Sequence, residues 1–137
     1  MKRLLAAFAL VGAASPALQA QEISPGLWEI VAEVKMQGSV IPPNKFTQCL
    51  TAQDIAAGVQ YGVIEKGKCT TSNLKNLQGK ISYELSCAAN GARLTGTGTG
   101  TMSPTSFAFE QRLHMIPDQG MGEMHLIVAG RRLGDCQ

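Results

Sequence analysis

The sequence has 137 residues, with 12 Lys and Arg against 10 Asp and Glu. Two of the basic residues, Lys2 and Arg3, precede an apolar run, and the rest of the chain is formally neutral. A neutral chain with scattered charges lacks the basic surface of a nucleic-acid-binding protein. It also lacks the polybasic patch that binds anionic lipid. These two classes of partner are therefore excluded.

The N-terminal residues have the pattern of an export signal. Lys2 and Arg3 are followed by the apolar stretch 4–14, and Ser15-Pro16 ends that stretch before it is long enough to span a membrane. Small residues then favour cleavage after Ala20. We predict that residues 1–20 are a cleaved signal peptide and that 21–137 form a single disulfide-stapled β domain of about 117 residues. This predicts a location in the periplasm or a secreted protein, with no membrane span after cleavage.

The clearest strand pattern runs from Trp28 to Met36, where apolar residues alternate with mostly polar ones. Trp28, the single tryptophan, is expected to be the largest side chain of the core. Pro25-Gly26 marks the turn into this strand. Gly38-Ser39 and Pro42-Pro43-Asn44 are expected to end it, and 45–50 to form a short second strand.

A short helix is predicted after the second strand. Thr51 is a good N-cap and Asp54 lies three positions on, close to a capping box. The helix continues over 55–57, and Gly58 is expected to end it. The following stretch, 59–68, is predicted to be a loop punctuated by glycine.

From Cys69 onward the sequence has the pattern of successive hairpins. Turn signals separate the apolar segments, the strongest of them Asn90-Gly91. We predict strands at 69–76, 80–88, 93–101, 107–115 and 123–129, with turns at 78–79, 90–91, 103–104 and 117–120 and a tail at 130–137. The fold class is therefore mainly β. We expect an antiparallel meander of about seven strands, a curled or partly closed barrel, with one short helix inserted after the second strand.

Glycine and threonine alternate strictly in 95–101, which places Gly96, Gly98 and Gly100 on one face of a strand. A face without side chains favours close approach of something bulky, such as Trp28 or the helix. The alternative is that the glycines only allow the strand to bend, and the two are compatible.

The four cysteines, Cys49, Cys69, Cys87 and Cys136, predict two disulfides, because an even number in a small exported domain is typical of such bridges. Their wide spacing argues against a zinc site. A hairpin centred near Gln78 places Cys69 opposite Cys87, and strand alternation places Cys49 and Cys136 at one sheet edge. We favour these two pairs, with Cys49–Cys69 as the alternative pairing.

Three marks together resemble a known family. They are Pro25-Gly26-Leu27-Trp28-Glu29 near the predicted mature N-terminus, Thr47-Gln48-Cys49-Leu50-Thr51 before the helix, and Arg132-Leu133-Gly134-Asp135-Cys136 at the end. In these the chain is similar to the bacterial exported proteins grouped as domain-of-unknown-function family 3617. The resemblance implies an exported, disulfide-bonded domain. It carries no activity and no catalytic residue.

No catalytic or cofactor-binding constellation is visible in the sequence. Neither a Gly-x-Ser-x-Gly elbow nor a glycine-rich phosphate loop occurs. Glu29 and Glu33 are expected on the outer face of the first strand, solvated rather than acting as an acid/base pair. We therefore predict no catalytic residues, no cofactor and no enzymatic activity, with an enzyme of unrecognised type as an alternative.

One cluster suggests a speculative copper site. His114, Met121, Met124 and His125 flank the turn at 117–120, and thioether and imidazole ligands suit copper. His114 and Met115 point to opposite faces of their strand, however, and methionines at such positions more often pack in a core. We therefore predict no metal.

The favoured function is a non-enzymatic module that binds a small apolar ligand or an envelope partner. The candidate pocket or core residues are Trp28, Tyr83, Phe107 and Phe109, since a curled sheet can hold a ligand against such side chains. Filling a compact core is the alternative role for them. A structural or interaction protein without a ligand, presenting a sheet edge or the loop 59–68 to another exported protein, is the alternative function.

Overall fold

A computed structural model describes residues 22–61 and 68–137 of the protein. These residues form one sheet of seven antiparallel strands that does not close. The predicted signal peptide, 1–20, and part of the predicted loop, 62–67, lie outside the described residues. The strands are β1 (Gly26–Met36), β2 (Ser39–Leu50), β3 (Cys69–Leu77), β4 (Lys80–Ala89), β5 (Ala92–Met102), β6 (Ser106–Ile116) and β7 (Met124–Gly134). The helix α1 (Ala52–Ala56) and a 3₁₀ helix (Val59–Tyr61) follow β2.

The strand order across the sheet is β2-β1-β7-β6-β5-β4-β3. Strands β3 to β7 form a meander, and β1 pairs back against β7, with Ile30 opposite Gly130. The predicted fold class is confirmed: the protein is mainly β, with one short helix after the second strand. Because β2 and β3 each have one neighbouring strand, they are the two edges of the sheet.

Two hairpin turns follow from local sequence chemistry. Asn90 and Gly91 have φ angles of 41° and 79°, and Gln78 and Gly79 have φ angles of 55° and 85°. Positive φ at both central residues matches the right-handed twist of the flanking strands. Asn and Gly adopt this conformation most readily, which is why 90–91 was the strongest turn signal.

The helix is specified by its caps. Thr51 Oγ1 accepts a hydrogen bond from the Asp54 backbone N–H at 3.1 Å, and the Asp54 carboxylate accepts one from the Thr51 N–H at 3.0 Å. This is the capping box that the sequence predicts. Gly58, with a φ of 82°, lies just beyond the C-cap Ala57 and turns the chain out of the helix.

The prediction that Pro42-Pro43-Asn44 separate the first strand from a short second strand at 45–50 was wrong. Strand β2 runs continuously from Ser39 to Leu50, through Pro42 and Pro43. An edge strand tolerates proline, because its outward N–H groups have no ladder partner to lose. The register also shifts here: Asn44 pairs with Ala32 and Ile41 with Val34, so two prolines oppose one residue of β1 as a bulge.

The predicted tail at 130–137 was also wrong in part. Strand β7 continues to Gly134, because it has β1 on one side and β6 on the other. Gly130 pairs with Ile30 and Phe107, and a Cβ there would overlap the Phe107 ring. The glycine that resembles a strand end in the sequence instead makes room for an aromatic ring.

The core lies on the inner face of the sheet, the face that carries Trp28 and faces α1 and the 3₁₀ helix. The Trp28 side chain is fully buried, its indole nitrogen donates to the Ser24 carbonyl at 3.0 Å, and its ring lies 5.3 Å from that of Phe107. Ile81, Leu85, Met102, Phe109 and Leu113 complete the buried face. The predicted position of Trp28 in the core is confirmed.

The glycines of β5 also lie on this inner face, but the side chains that cover them differ from those predicted. A Cβ on Gly98 would overlap the Tyr83 ring, and one on Gly100 would lie 2.6 Å from an edge carbon of Phe109. Trp28 and α1 are not among the nearest groups. Gly98 makes room for a side chain of β4, whereas a Cβ on Gly96 or Gly100 would meet a backbone carbonyl of β6 first.

Two disulfides join the described cysteines, Cys49 to Cys136 and Cys69 to Cys87. Cys69 and Cys87 are direct cross-strand partners on β3 and β4. Cys49 and Cys136 join the β2 edge to the residues after β7, across β1, with 5.6 Å between their α-carbons. These are the pairs favoured from strand order, and each fastens one side of the open sheet.

Candidate ligand-binding groove

The segment after β2 folds back over the inner face. The Tyr61 ring lies 4.9 Å from the Tyr83 ring and 5.7 Å from the Phe109 ring, so the 3₁₀ helix is packed against the middle of the sheet. Tyr61 is buried there. Space remains beside the 3₁₀ helix over the inner face of the sheet, and that space is the candidate site.

Two adjoining cavities make up this space, and we call them together the apolar groove. The first has a volume of about 430 Å³ and the second of about 370 Å³. Val34 and Leu126, which are cross-strand partners on β1 and β7, line both cavities. The first cavity is lined mainly by Ile30, Ala32, Phe46, Leu50, Phe107 and Val128. The second is lined mainly by Leu85, Leu94, Leu113, Met124 and the Cys69–Cys87 bridge.

Part of the groove wall is less buried than the core. Phe46 is 40% exposed, and Val34, Leu126 and Val128 are half-buried, whereas Phe109 is 2% exposed. Apolar side chains on the inner face of a sheet would normally be covered. Here the described residues leave them accessible along one side of the 3₁₀ helix.

A buried glutamine lies at the end of the groove. Gln111 of β6 lines the second cavity, and its side-chain nitrogen donates to the Tyr61 carbonyl at 2.7 Å and to the Tyr83 hydroxyl at 2.6 Å. A carbonyl oxygen can only accept, so this end of the amide must be the NH₂ group. The glutamine thereby ties the 3₁₀ helix to strands β4 and β6.

A second glutamine lies on the 3₁₀ helix itself. Gln60 lines the first cavity, is 8% exposed, and donates from its side-chain nitrogen to the Ile55 carbonyl at 3.1 Å. This bond fastens the 3₁₀ helix to the end of α1. The two glutamines therefore hold the segment in place from both sides.

The two tyrosines behind the groove stay neutral at ordinary pH. Burial raises the pKa of Tyr83 to about 12, although the hydrogen bond from Gln111 acts in the opposite direction. Burial also raises the pKa of Tyr61. Of the described residues that line the groove, Lys68 is the one with a titratable side chain, since Cys69 and Cys87 are bonded to each other.

The sequence-predicted pocket residues divide between core and groove. Phe107 lines the groove, whereas Trp28, Tyr83 and Phe109 do not line it and lie buried around it. Sequence reasoning missed Val34, Leu126, Gln60 and Gln111 as groove residues. A signal for the groove was present at Gln111. It is a polar residue at an inner-face position of β6, where the alternating positions otherwise carry Phe107, Phe109 and Leu113.

The speculative copper ligands do not converge on one face. Met124 pairs with Leu113 on the inner face and lines the groove. His125 is the next residue along β7, and His114 neighbours Thr95 on the outer face, with 3.5 Å between side-chain atoms. Met121 is exposed in the turn before β7. Within 22–61 and 68–137, no group of three or more His, Cys, Asp or Glu could hold a metal ion.

The two glutamates of β1 lie in ion pairs rather than in a carboxylate pair. Glu29 accepts a hydrogen bond from Arg131 at 3.0 Å and lies 3.7 Å from the Lys45 ammonium, while Glu33 lies 3.3 Å from Lys35. The hydrogen bond from Arg131 holds the pKa of Glu29 below its usual value. The two contacts of Glu29 link β1 to β2 and to β7.

Residues 23–136 match a family profile described as "Protein of unknown function (DUF3617)". The chain belongs to this family. The match to the DUF3617 profile covers all seven strands and all four cysteines. No curated protein and no solved structure matches the chain. None of the helices in the described ranges is both long and apolar enough for a membrane crossing.

Proposed function

We propose that this DUF3617 protein is an exported, non-enzymatic module that binds a small apolar molecule in the groove. The observation that carries the proposal is the pair of adjoining cavities, each within the size range of small-molecule sites. Their walls are mainly aliphatic and aromatic, and most of them belong to strands of one continuous sheet. Such a surface gains free energy when a ligand removes it from water.

The compartment is inferred from two independent features. Disulfides persist in oxidising compartments, and two of them fasten this domain. The N-terminal pattern predicts a signal peptide, so the periplasm is the expected location. In that setting apolar molecules need a protein carrier, because free monomers of lipid-like compounds are sparingly soluble in water.

A binding role is favoured over a catalytic one by the chemistry of the walls. Acid/base and nucleophilic catalysis need paired titratable groups or an activated nucleophile. The described groove residues offer a single lysine and three side-chain amides, Gln48, Gln60 and Gln111. Amides orient ligands by hydrogen bonds without exchanging protons.

The test is titration of the oxidised protein with N-phenyl-1-naphthylamine, an apolar dye whose fluorescence rises in apolar sites. Ala32→Phe would fill the first cavity, since Ala32 lines it between Ile30 and Val34. We expect saturable binding by the parent protein and at least about tenfold weaker binding by the variant, because the added ring occupies the ligand's volume.

Ala129→Phe is the matched control. Ala129 follows Val128 on β7, is exposed on the outer face and lines neither cavity. This variant should bind the dye as the parent does. Equal loss in both variants, or no saturable binding by the parent protein, would contradict the proposal.

A second candidate, docking of another envelope protein, is favoured by the far end of the β1–β2 hairpin. Val40 is 63% exposed and Ile41 is 46% exposed there, on an edge strand. Val40→Ser with Ile41→Ser should abolish recovery of a cross-linked envelope partner while leaving dye binding unchanged. If the partner is still recovered, this surface does not mediate the contact.

A further inference from the structure

The two glutamines that border the groove share an unusual feature. The side-chain oxygens of Gln60 and Gln111 are buried, and no donor from the described part of the chain lies within hydrogen-bond distance of either. Gln111 is 2% exposed and Gln60 is 8% exposed. Buried polar atoms in native proteins are almost always paired, so two unpaired acceptors beside one cavity system indicate a binding function.

The orientation of both amides is fixed by their other ends. The nitrogen of Gln111 faces the Tyr61 carbonyl, and the nitrogen of Gln60 faces the Ile55 carbonyl. Rotating either amide would place two acceptor oxygens against each other. The unpaired atom is therefore an acceptor in both residues. Gln111 lines the second cavity and Gln60 lines the first, so both amides border the groove.

These unpaired acceptors restrict the chemistry of any molecule that fills the groove. A ligand that occupies the cavities excludes water from the space beside these two amides. A purely apolar ligand would leave both acceptors without a donor, which disfavours its binding. A carboxylate would place negative charge against two oxygens that already carry partial negative charge. A neutral O–H or N–H group satisfies the acceptors at the least cost of desolvation.

We propose that the groove selects an apolar molecule that carries neutral hydrogen-bond donors, a hydroxyl or an amide N–H, accepted by the side-chain oxygens of Gln111 and Gln60. This inference rests on the proposed ligand-binding function and specifies its ligand class. Discrimination of this kind is strong because a site built to accept a hydrogen bond rejects the analogue that lacks the donor.

The test compares three molecules with the same alkyl chain: 1-decanol, decyl methyl ether and decanoate. Each displaces N-phenyl-1-naphthylamine from the oxidised protein. We expect 1-decanol to displace the dye at about tenfold lower concentration than the ether, which has the same oxygen but no donor. Decanoate should also displace the dye less effectively than 1-decanol does. Its displacement reports separately on any attraction of the carboxylate by Lys68.

Glutamine variants test whether the two side-chain oxygens cause the preference for alcohol over ether. Gln111→Met and Gln60→Met keep side-chain volume but remove the acceptor, so each should reduce the preference for alcohol over ether. Gln53→Met is the matched control, because Gln53 is exposed on α1 and lines neither cavity. Ether affinity should change little in all three. If Gln111→Met fails to fold, Gln60→Met provides the same readout from the other side of the groove.

The outcomes separate the two proposals. Equal affinity of the parent protein for alcohol and ether, or a preference for decanoate, would overturn the ligand class and leave apolar binding intact. An alcohol preference that persists in both glutamine variants would overturn the role of the two oxygens. Failure of the dye itself to bind would instead reject the underlying ligand-binding function.

Discussion

The Tyr83 hydroxyl lies 2.6 Å from the side-chain nitrogen of Gln111, although their strands, β4 and β6, are not neighbours. Strand β5 runs between them, and the residue of β5 that pairs with both is Gly98. Because Gly98 has no side chain, the tyrosine and the glutamine meet above it. The alternating glycines thus allow a direct hydrogen bond across a whole strand.

Gly98→Ala should destabilise the fold by about 1–3 kcal/mol, because the new Cβ would overlap the Tyr83 ring and separate it from Gln111. Urea unfolding measures this loss. Thr97→Ala is the matched control on the same strand, where the side chain is exposed on the outer face. A Gly98→Ala variant as stable as the control would show that the inner face is loosely packed there.

Both tyrosines of the chain should ionise late in the folded protein. The sequence has 2 tyrosines, and burial raises the pKa of Tyr61 and raises that of Tyr83 to about 12. Near-ultraviolet absorbance of tyrosinate should therefore rise above pH 10 in the folded state and near pH 10 in urea. A tyrosine that titrates at its ordinary pKa in the folded protein would contradict the burial of the pair.

Stability should decline over the same alkaline range. The folded chain keeps the Tyr83 proton, while the unfolded chain releases it near the ordinary pKa of 10.0. The unfolded state therefore binds fewer protons, and the free energy of unfolding falls as the pH rises from about 10 to about 12. Unfolding in urea at pH 9 and at higher pH measures the slope. Tyr83→Phe should reduce that slope, and an unchanged slope would assign it to other groups.

Trp28→Ala should cost about 3–5 kcal/mol, because the indole is fully buried against Phe107. Leu77→Ala is the control, since Leu77 is 71% exposed and its truncation should change stability by less than about 0.5 kcal/mol. Urea unfolding compares the two variants. A loss below about 1 kcal/mol for Trp28→Ala would place the indole outside the core.

The two disulfides should contribute unequally to the free energy of unfolding. Cys49–Cys136 closes a loop with a sequence separation of 87, and Cys69–Cys87 one with a separation of 18. On loop entropy alone the first is worth ~4.5 kcal/mol and the second ~3 kcal/mol. Each bridge can be removed by replacing both of its cysteines with serine. Urea unfolding of the two variants then tests which disulfide contributes more to stability. A non-reducing peptide map that shows a Cys49–Cys69 fragment would contradict both pairs.

Local rules predicted most of the fold. The turns at 78–79 and 90–91, the Thr51–Asp54 capping box and the alternation from Trp28 to Met36 each depend on neighbouring residues, and the structure contains all of them. The errors occurred where tertiary position overrides local preference. Pro42 and Pro43 remain in a strand because that strand is an edge, and Gly130 remains in a strand because the Phe107 ring needs the space.

The groove was less predictable than the fold. Alternation assigns Val34 and Leu126 to the inner face, but it does not tell which inner residues the 3₁₀ helix covers. That depends on Tyr61, which reaches Tyr83 and Phe109 across the sheet. The unpaired oxygens of Gln60 and Gln111 follow from the same packing and leave no local trace in the sequence.

The proline bulge of β2 has a consequence for self-association. An open sheet has two unpaired edges. If one edge of each copy paired with the opposite edge of the next copy, the molecules would form an endless ribbon. Proline has no N–H, so Pro42 and Pro43 interrupt the hydrogen-bonding edge of β2 in the first half of the strand. Pairing of another copy along β2 is thereby disfavoured, so such a ribbon would not extend through this edge.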